Sequence, residues 1–100
     1  MLVVTGTVEV APEGVEKAEK AALEMVAETV KEAGCITYEF SQVLGHTNRF
    51  RVYEEWESQA ALEAHFAAPH MAAFRAALGE AGVTSSDICR IVGGEKQPLR

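Results

Sequence analysis

The stretch EEWESQAALEAHFAAPHM, from Glu54 to Met71, concentrates the side chains of this chain that could transfer protons. It contains the only tryptophan of the sequence, Trp56, and two of its three histidines, His65 and His70. An imidazole has an unperturbed pKa of about 6.5, so it can accept or donate a proton near neutral pH. Three roles are open for this group of residues: acid–base catalysis, metal binding and packing.

Metal binding by the two histidines requires a spacing that they do not have. Zinc-binding helices place ligands at positions i and i+4 on one face, whereas His65 and His70 are five residues apart. Five residues of helix turn the second side chain about 140° from the first, and Pro69 interrupts the helix. His46 lies in a predicted hairpin turn, and no cysteine or carboxylate cluster completes a ligand set. We therefore predict that the protein binds no metal.

Composition excludes several classes of partner. The chain has 100 residues, a length that is typical of one domain. Its net charge of −6 disfavours binding to nucleic acid and to anionic membrane surfaces. No apolar run approaches the roughly 20 residues that span a bilayer. The N-terminal segment MLVVTGTVEV lacks the basic region of a signal peptide. We expect a cytoplasmic protein in which Cys35 and Cys89, whose spacing matches no CxxC pattern, are free thiols.

The pattern of apolar residues predicts seven elements in the order βαββααβ. Alternation with a period of two predicts strands, and a period of 3.6 residues predicts helices. The predicted elements are a strand over 2–10, a helix over 13–33, strands over 35–44 and 49–56, helices over 59–67 and 70–79, and a strand over 85–92. We assign residues 1–93 to one domain and 94–100 to a polar C-terminal tail.

This order is typical of a ferredoxin-like α+β sandwich, in which the helices cover one face of the sheet. The first and last predicted strands carry apolar residues on both faces. Val3 opposes Leu2 and Val4, while Ile88 and Val92 oppose Ile91. A second apolar face needs its own cover, which the sheet of another copy would provide. We therefore expect a homodimer.

Four segments in sequence order, GCITYEF, RFRVYEEWES, AALEAH and APHMAAF, resemble the antibiotic biosynthesis monooxygenase family. This is the dimeric α+β barrel group that includes quinol monooxygenases, and the resemblance covers roughly residues 2–92. It implies a dimeric α+β barrel. Its members include cofactor-free oxygenases of quinols and phenols, an isomerase and haem degraders, so it specifies the fold more closely than the reaction.

The resemblance also bears on cofactors. The haem-degrading relatives use a histidine on the last long helix as the axial ligand and an asparagine on the first strand. Here Arg75 falls where that histidine would lie, and the first strand has no asparagine. The resemblance therefore implies catalysis without haem, and we expect no cofactor.

Cofactor-free oxygenation requires a base in an apolar pocket with little water. We expect His65, at the edge of the Leu62–Phe66 helix face, to be this base, with inward-facing Glu54 as a second catalytic group paired with Arg75 or a histidine. The alternative is that His65 only packs at the edge of the core and bonds a strand carbonyl. The expected substrate-binding residues are His70, Trp56, Tyr38, Tyr53, Phe66, Phe74 and Arg75, although most of these are equally explained by packing.

The sequence thus predicts a homodimeric, cofactor-independent monooxygenase that acts on a small quinol or phenolic compound and molecular oxygen. Two alternatives stay open. An isomerase could use the same histidine to move a proton beside a carbonyl, and a stress-response dimer could bind a small ligand without turnover.

Overall fold

The computed structural model describes residues 1–100, and its elements follow the predicted order βαββααβ. The strands are β1 (Leu2–Val10), β2 (Cys35–Gln42), β3 (Arg49–Trp56) and β4 (Val83–Val92), and the helices are α1 (Val15–Thr29), α2 (Gln59–Phe66) and α3 (Pro69–Ala81). A short 3₁₀ turn, Pro12–Gly14, leads into α1. No helix is long and apolar enough to cross a lipid bilayer.

The four strands form one antiparallel sheet in the order β2-β3-β1-β4. Successive strand residues point to opposite faces, so one face of β1 presents Leu2, Val4, Val8 and Val10 to the helices. The partners of these residues on β3 include Trp56 and Glu54, which therefore face the helices as well. The predicted ferredoxin-like α+β sandwich is confirmed.

Gly6 interrupts the row of valines at the centre of β1. A Cβ atom at this position would lie 2.1 Å from the Asp87 carbonyl oxygen and 2.4 Å from the Ile88 Cα of β4. Both contacts are with backbone atoms, which cannot rotate away. The close approach of β1 and β4 thus requires glycine at this position.

The core between sheet and helices has two clusters. The larger one contains Leu2, Val4, Met25, Tyr38, Val52, Trp56 and Leu62, and the smaller one contains Val8, Val10, Ala18 and Ala81. Helix α2 contributes Leu62 to the larger cluster. Its N-terminus is capped by Ser58, whose hydroxyl accepts a hydrogen bond from the Ala61 amide at 3.1 Å. Helix α3 begins at Pro69, where the missing backbone N–H of proline costs no helical hydrogen bond.

Helix α1 is shorter than predicted. The expected helix over 13–33 ends at Thr29, and the chain turns through residues 30–34 before β2 begins. Gly34 closes this turn with a positive φ of 85°, a conformation that glycine adopts without steric cost. Its carbonyl oxygen accepts a hydrogen bond from the Glu57 amide at 2.9 Å. The turn is therefore fixed beside the start of α2, and Glu32 lies in the turn.

The outer face of the sheet differs from the expectation of an apolar surface. The outward residues of β1 and β4 pair Val3 with Ile91, Thr5 with Cys89 and Thr7 with Asp87, so this face is apolar at one end and polar at the other. Arg51, Tyr53 and Glu55 of β3 extend the polar part. The exposed apolar surface is instead concentrated along edge strand β4, where Ile88, Ile91 and Val92 are all exposed, on both faces.

Cys35 and Cys89 lie on opposite edge strands, β2 and β4. Three strand spacings of about 4.8 Å place their backbones roughly 14 Å apart across the sheet, whereas a disulfide joins Cα atoms about 4.4 to 6.8 Å apart. We predict that no disulfide forms within the chain. Thiol titration of the denatured, unreduced protein should find two thiols per chain; an unreduced single chain without titratable thiols would contradict the strand order.

Candidate functional site

Glu54 is a carboxylic acid buried on the helix side of β3. Its side chain is 6% exposed, and its Oε1 accepts a hydrogen bond from the indole Nε1 of Trp56 at 2.9 Å. The two residues are two positions apart on one strand, so they share a face. Burial raises the pKa of Glu54 to about 7, against the opposing effect of the Trp56 hydrogen bond and with a further increase from the negative charge of Glu32. Glu54 can therefore exchange a proton near neutral pH.

A cavity of about 430 Å³ lies between the sheet and helices α2 and α3, and Glu54 is part of its wall. Most of the lining residues are apolar, and four of them are aromatic: Tyr38, Phe40, Phe66 and Phe74. Three of these rings contact one another in sequence, with centroids 5.7 Å apart for Tyr38 and Phe40 and 5.5 Å apart for Phe40 and Phe74. An apolar cavity with few polar groups is typical of a small-molecule site.

Tyr38 adds a phenol to this wall. Burial strongly raises the pKa of its hydroxyl, and the negative charges of Glu54 and Glu32 raise it further. The hydroxyl therefore keeps its proton and can donate a hydrogen bond, but it cannot act as a base near neutral pH. Among the buried groups that line the cavity, Glu54 is the one that can accept a proton there.

Arg75 and Arg90 are the basic residues that line the same cavity. Arg75 belongs to α3 and Arg90 to β4, and both are exposed. Neither makes an ion pair with a carboxylate. The sequence predicted Arg75 or a histidine as the partner of Glu54, but the partner is Trp56. The guanidinium groups are thus free to contact an anionic part of a ligand.

A second polar group is formed by Glu32, His65 and His70. The Glu32 Oε2 atom lies 2.7 Å from His65 Nδ1 and 2.7 Å from His70 Nε2. A carboxylate only accepts hydrogen bonds, so both imidazole nitrogens donate to it. We call these three residues the Glu32 triad. It ties together the turn after α1, the end of α2 and the first turn of α3.

His65 is the most enclosed member of the Glu32 triad, with no exposed surface. Its ring packs against Trp56, with centroids 4.7 Å apart, and against Tyr38, with centroids 5.4 Å apart. Its other nitrogen, Nε2, is buried without a hydrogen-bond partner. The sequence placed His65 at the edge of the core with a strand carbonyl as its alternative partner; it lies in the interior instead, and its partner is a carboxylate.

The expectation that His65 and His70 could not share a site was wrong. The estimate of 140° assumed one continuous helix, whereas α2 ends at Phe66 and α3 begins at Pro69. The break between the helices brings the rings to a centroid separation of 6.1 Å. Glu32 supplies the carboxylate that the sequence argument did not find, and the donor atoms of the three residues lie within 4.8 Å of one another.

Of the remaining predicted site residues, four line the cavity that contains Glu54 and three lie elsewhere. Trp56 is fully buried in the core and contacts Glu54 and not the cavity. Tyr53 lies on the outer sheet face, where its hydroxyl donates to Glu55 at 2.8 Å. His70 lines a neighbouring cavity of about 350 Å³ between α1 and α3. Tyr38, Phe66, Phe74 and Arg75 do line the cavity that contains Glu54.

Sequence reasoning missed Glu32 and Arg90. Glu32 was assigned to the polar end of a long helix, where nothing distinguishes it from the other acidic residues of that segment. Arg90 could have been found, because strand alternation puts it on the same face as Ile88 and Val92, and its partner on β1 is the core residue Val4.

The raised pKa of Glu54 makes stability depend on pH. Between about pH 4.5 and 7 the unfolded carboxyl ionises while the folded one stays protonated, so the folded state binds more protons and loses stability as the pH rises. The free energy of unfolding of the wild type should fall by about 3 kcal/mol over this range. We predict that this fall is absent in Glu54→Gln. Urea unfolding at fixed protein concentration should show that the difference between wild type and variant changes with pH. A difference that is constant from pH 4.5 to 7 would contradict the assignment.

Comparison with known proteins identifies the family of this chain. The family model described as "Antibiotic biosynthesis monooxygenase" matches residues 1–77. A crystal structure from Deinococcus radiodurans, solved as a candidate antibiotic biosynthesis monooxygenase, superposes with a TM-score of 0.92 and 25% identity over 100% of this chain and 99% of that one. PA3566 of Pseudomonas aeruginosa superposes with a TM-score of 0.83 and 30% identity over 90% of each chain.

A curated relative is known from Synechocystis sp., an uncharacterized protein that is 32% identical over 73 residues. The match covers 73% of this chain, and the chain spans about half the length of that relative. The family match covers more than half of the chain and includes β1, α1, β2, β3, α2 and most of α3. The chain belongs to the antibiotic biosynthesis monooxygenase family.

Proposed function

We propose that this protein is a cofactor-independent monooxygenase of a small quinol or phenolic compound, with Glu54 as the group that removes the phenolic proton. The observation that carries the proposal is one buried carboxyl, with a pKa of about 7, in the wall of an aromatic cavity. A base whose pKa lies near the working pH is efficient in proton transfer. Membership of a monooxygenase family supports the reaction class.

The substrate itself supplies the electrons in this reaction. Once a phenolic oxygen of an electron-rich arene is deprotonated, the anion can transfer one electron to O₂, and the two radicals then combine to form a carbon–oxygen bond. The peroxide anion takes up a proton, which protonated Glu54 can return. Loss of water from the resulting hydroperoxide gives a quinone that contains one atom of the O₂, and the other atom leaves in the water. The protein therefore needs to bind the arene, accept a proton and limit the access of water.

Each part of the cavity has a role in this scheme. Phe66 and Phe74 would pack against the substrate ring, and the Tyr38 hydroxyl would donate a hydrogen bond to a substrate oxygen. Trp56 would orient the Glu54 carboxyl from outside the cavity through the 2.9 Å hydrogen bond. Arg75 would contact an anionic substituent near the opening. The contacts of His70 and Tyr53 give no support to the substrate-binding roles that the sequence suggested.

The base assignment to His65 stays a prediction, and the geometry favours Glu54. His65 is fully buried, is bonded to Glu32 and does not line the cavity. The isomerase and ligand-binding alternatives would use the same cavity. They differ from the oxygenase in consuming no O₂.

Oxygen uptake with a panel of quinols and phenols tests the reaction class. We expect Glu54→Gln to lower turnover of an accepted substrate by about 10²- to 10⁴-fold, the usual contribution of a positioned acid–base group. The glutamine keeps an acceptor for the Trp56 indole. Glu16→Gln, at an exposed position of α1, is the matched control and should leave turnover unchanged. Activity of wild type should rise as the pH passes through about 7, where Glu54 loses its proton.

His65→Ala distinguishes the two candidate bases. If Glu54 is the base, this variant loses about 1 to 3 kcal/mol of stability because Glu32 loses a hydrogen-bond partner, and turnover per folded molecule changes little. A folded Glu54→Gln protein with full activity, beside an inactive His65→Ala protein, would return the base to His65. Turnover without O₂ consumption would favour the isomerase, and binding without turnover would favour the ligand-binding module.

We also propose a homodimer in which a second copy covers the exposed edge strand β4. The support is the row of exposed apolar residues on β4, namely Ile88, Ile91 and Val92, since such residues on a sheet edge favour association. We predict that light scattering on the purified protein gives twice the mass of one chain, and that Ile91→Lys shifts the equilibrium toward monomer. Glu39→Lys, at an exposed position of the opposite edge strand, is the control. A stable wild-type monomer would refute the dimer.

A further inference from the structure

We propose that the Glu32 triad is a binding site for a divalent first-row transition metal such as Zn²⁺, formed by Glu32 Oε2, His65 Nδ1 and His70 Nε2 converging from three separate elements. Each residue offers one ligand atom, and the three atoms lie within 4.8 Å of one another. Two histidines and one carboxylate are a common protein ligand set for zinc, with an open position left for water.

The distances allow a metal to replace the shared protons. In tetrahedral zinc sites the bonds to nitrogen and oxygen are about 2.0 to 2.2 Å long, so ligand atoms are about 3.3 Å apart. The Glu32 oxygen now lies 2.7 Å from each imidazole nitrogen. A separation of roughly 0.6 Å would make room for the ion, and each neutral imidazole would then carry its proton on the ring nitrogen that faces away from the ion. Rotation of the partly exposed Glu32 and His70 side chains would provide this separation while His65 stays in place.

The ligand types determine which cations fit. Imidazole nitrogen binds zinc, iron, nickel and copper well, whereas magnesium and calcium prefer sites composed of oxygen ligands. Glu32 makes no ion pair with a lysine or arginine; its partners are the two imidazoles. With neutral histidines the triad carries one negative charge, which favours a dication.

Burial gives the site both rigidity and access. His65 is fully enclosed between Trp56 and Tyr38, which fixes one ligand. The side chains of Glu32 and His70 are 16% and 22% exposed, so an ion can enter from solvent and keep a water ligand on that side. Residues placed in this way resemble a three-ligand zinc site with an open fourth position.

The proposal can be tested separately from the proposed oxygenase function, and a bound cation would offset the negative charge of Glu32 that raises the pKa of Glu54. None of the three ligands lines the cavity that contains Glu54, and His70 instead lines the neighbouring cavity between α1 and α3. Metal binding can therefore succeed or fail whether or not the Glu54 cavity catalyses oxygenation.

The test uses untagged, chelator-treated full-length protein and titrates it with ZnCl₂ in a calorimeter, with Co²⁺ as a spectroscopic substitute. We expect one ion per chain, a visible Co²⁺ spectrum of nitrogen and oxygen ligation, and no binding of Mg²⁺. Glu32→Gln and His70→Ala should each weaken Zn²⁺ binding by at least about 100-fold, more than the 10- to 100-fold typical of residues that only support a ligand. His46→Ala, in the exposed hairpin turn, should bind as wild type does.

Three outcomes would overturn the proposal. The first is the absence of Zn²⁺ binding to folded wild-type protein. The second is binding that survives in folded Glu32→Gln and His70→Ala, which would place the ion elsewhere. The third is a Co²⁺ spectrum with a thiolate charge-transfer band that disappears in Cys35→Ser, which would assign the ion to the thiol next to the turn. The fully buried His65 is left unchanged, so a folding defect at that position does not enter the comparison.

Discussion

The indole of Trp56 contacts two buried polar side chains, Glu54 and His65. Its Nε1 donates to the Glu54 carboxyl at 2.9 Å, and its ring packs on His65 with a centroid separation of 4.7 Å. A buried carboxyl without a hydrogen-bond partner costs several kcal/mol, so this single donor allows an acid to lie in an aromatic wall. Trp56 itself has no exposed surface. The packing of Trp56 in the core thus fixes the orientation of the Glu54 carboxyl. Because Trp56 supplies its hydrogen bond, the rest of the cavity wall can consist of aromatic rings.

The position of α1 relative to the other helices depends on the Glu32 triad and on the turn before β2. Glu32 bonds to residues of α2 and α3, and the Gly34 carbonyl bonds to the chain just before α2. These contacts join residues more than 20 positions apart in sequence. The buried residues of α1 include the small side chains of Ala18 and Ala21. Polar contacts between helix ends therefore supplement a core that is rich in alanine.

The fold and the inward direction of Glu54 were predictable because strand alternation is local and was unbroken in β3. The Glu32 triad was not, since it depends on where helices end. Residues 30–33 have an apolar and charged pattern that continues α1, but the helix ends at Thr29 and these residues form a turn that closes at Gly34. The helical rotation applied between His65 and His70 failed for the same reason. A two-residue break between helices is enough to bring both rings to one oxygen.

Gly6 has a consequence for how this cavity could change in evolution or design. It lies between Val4 and Val8, both of which line the cavity, and a methyl group there would collide with the β4 backbone. Position 6 is therefore closed to larger residues, whereas Phe40, Phe66 and Phe74 of the aromatic wall can be exchanged for smaller side chains at a cost in stability. Variants that accept substrates of a different size should therefore be sought among cavity residues of the helices and of β2. The backbone of β1 is held close to β4 at Gly6, so it keeps its position when those side chains are changed.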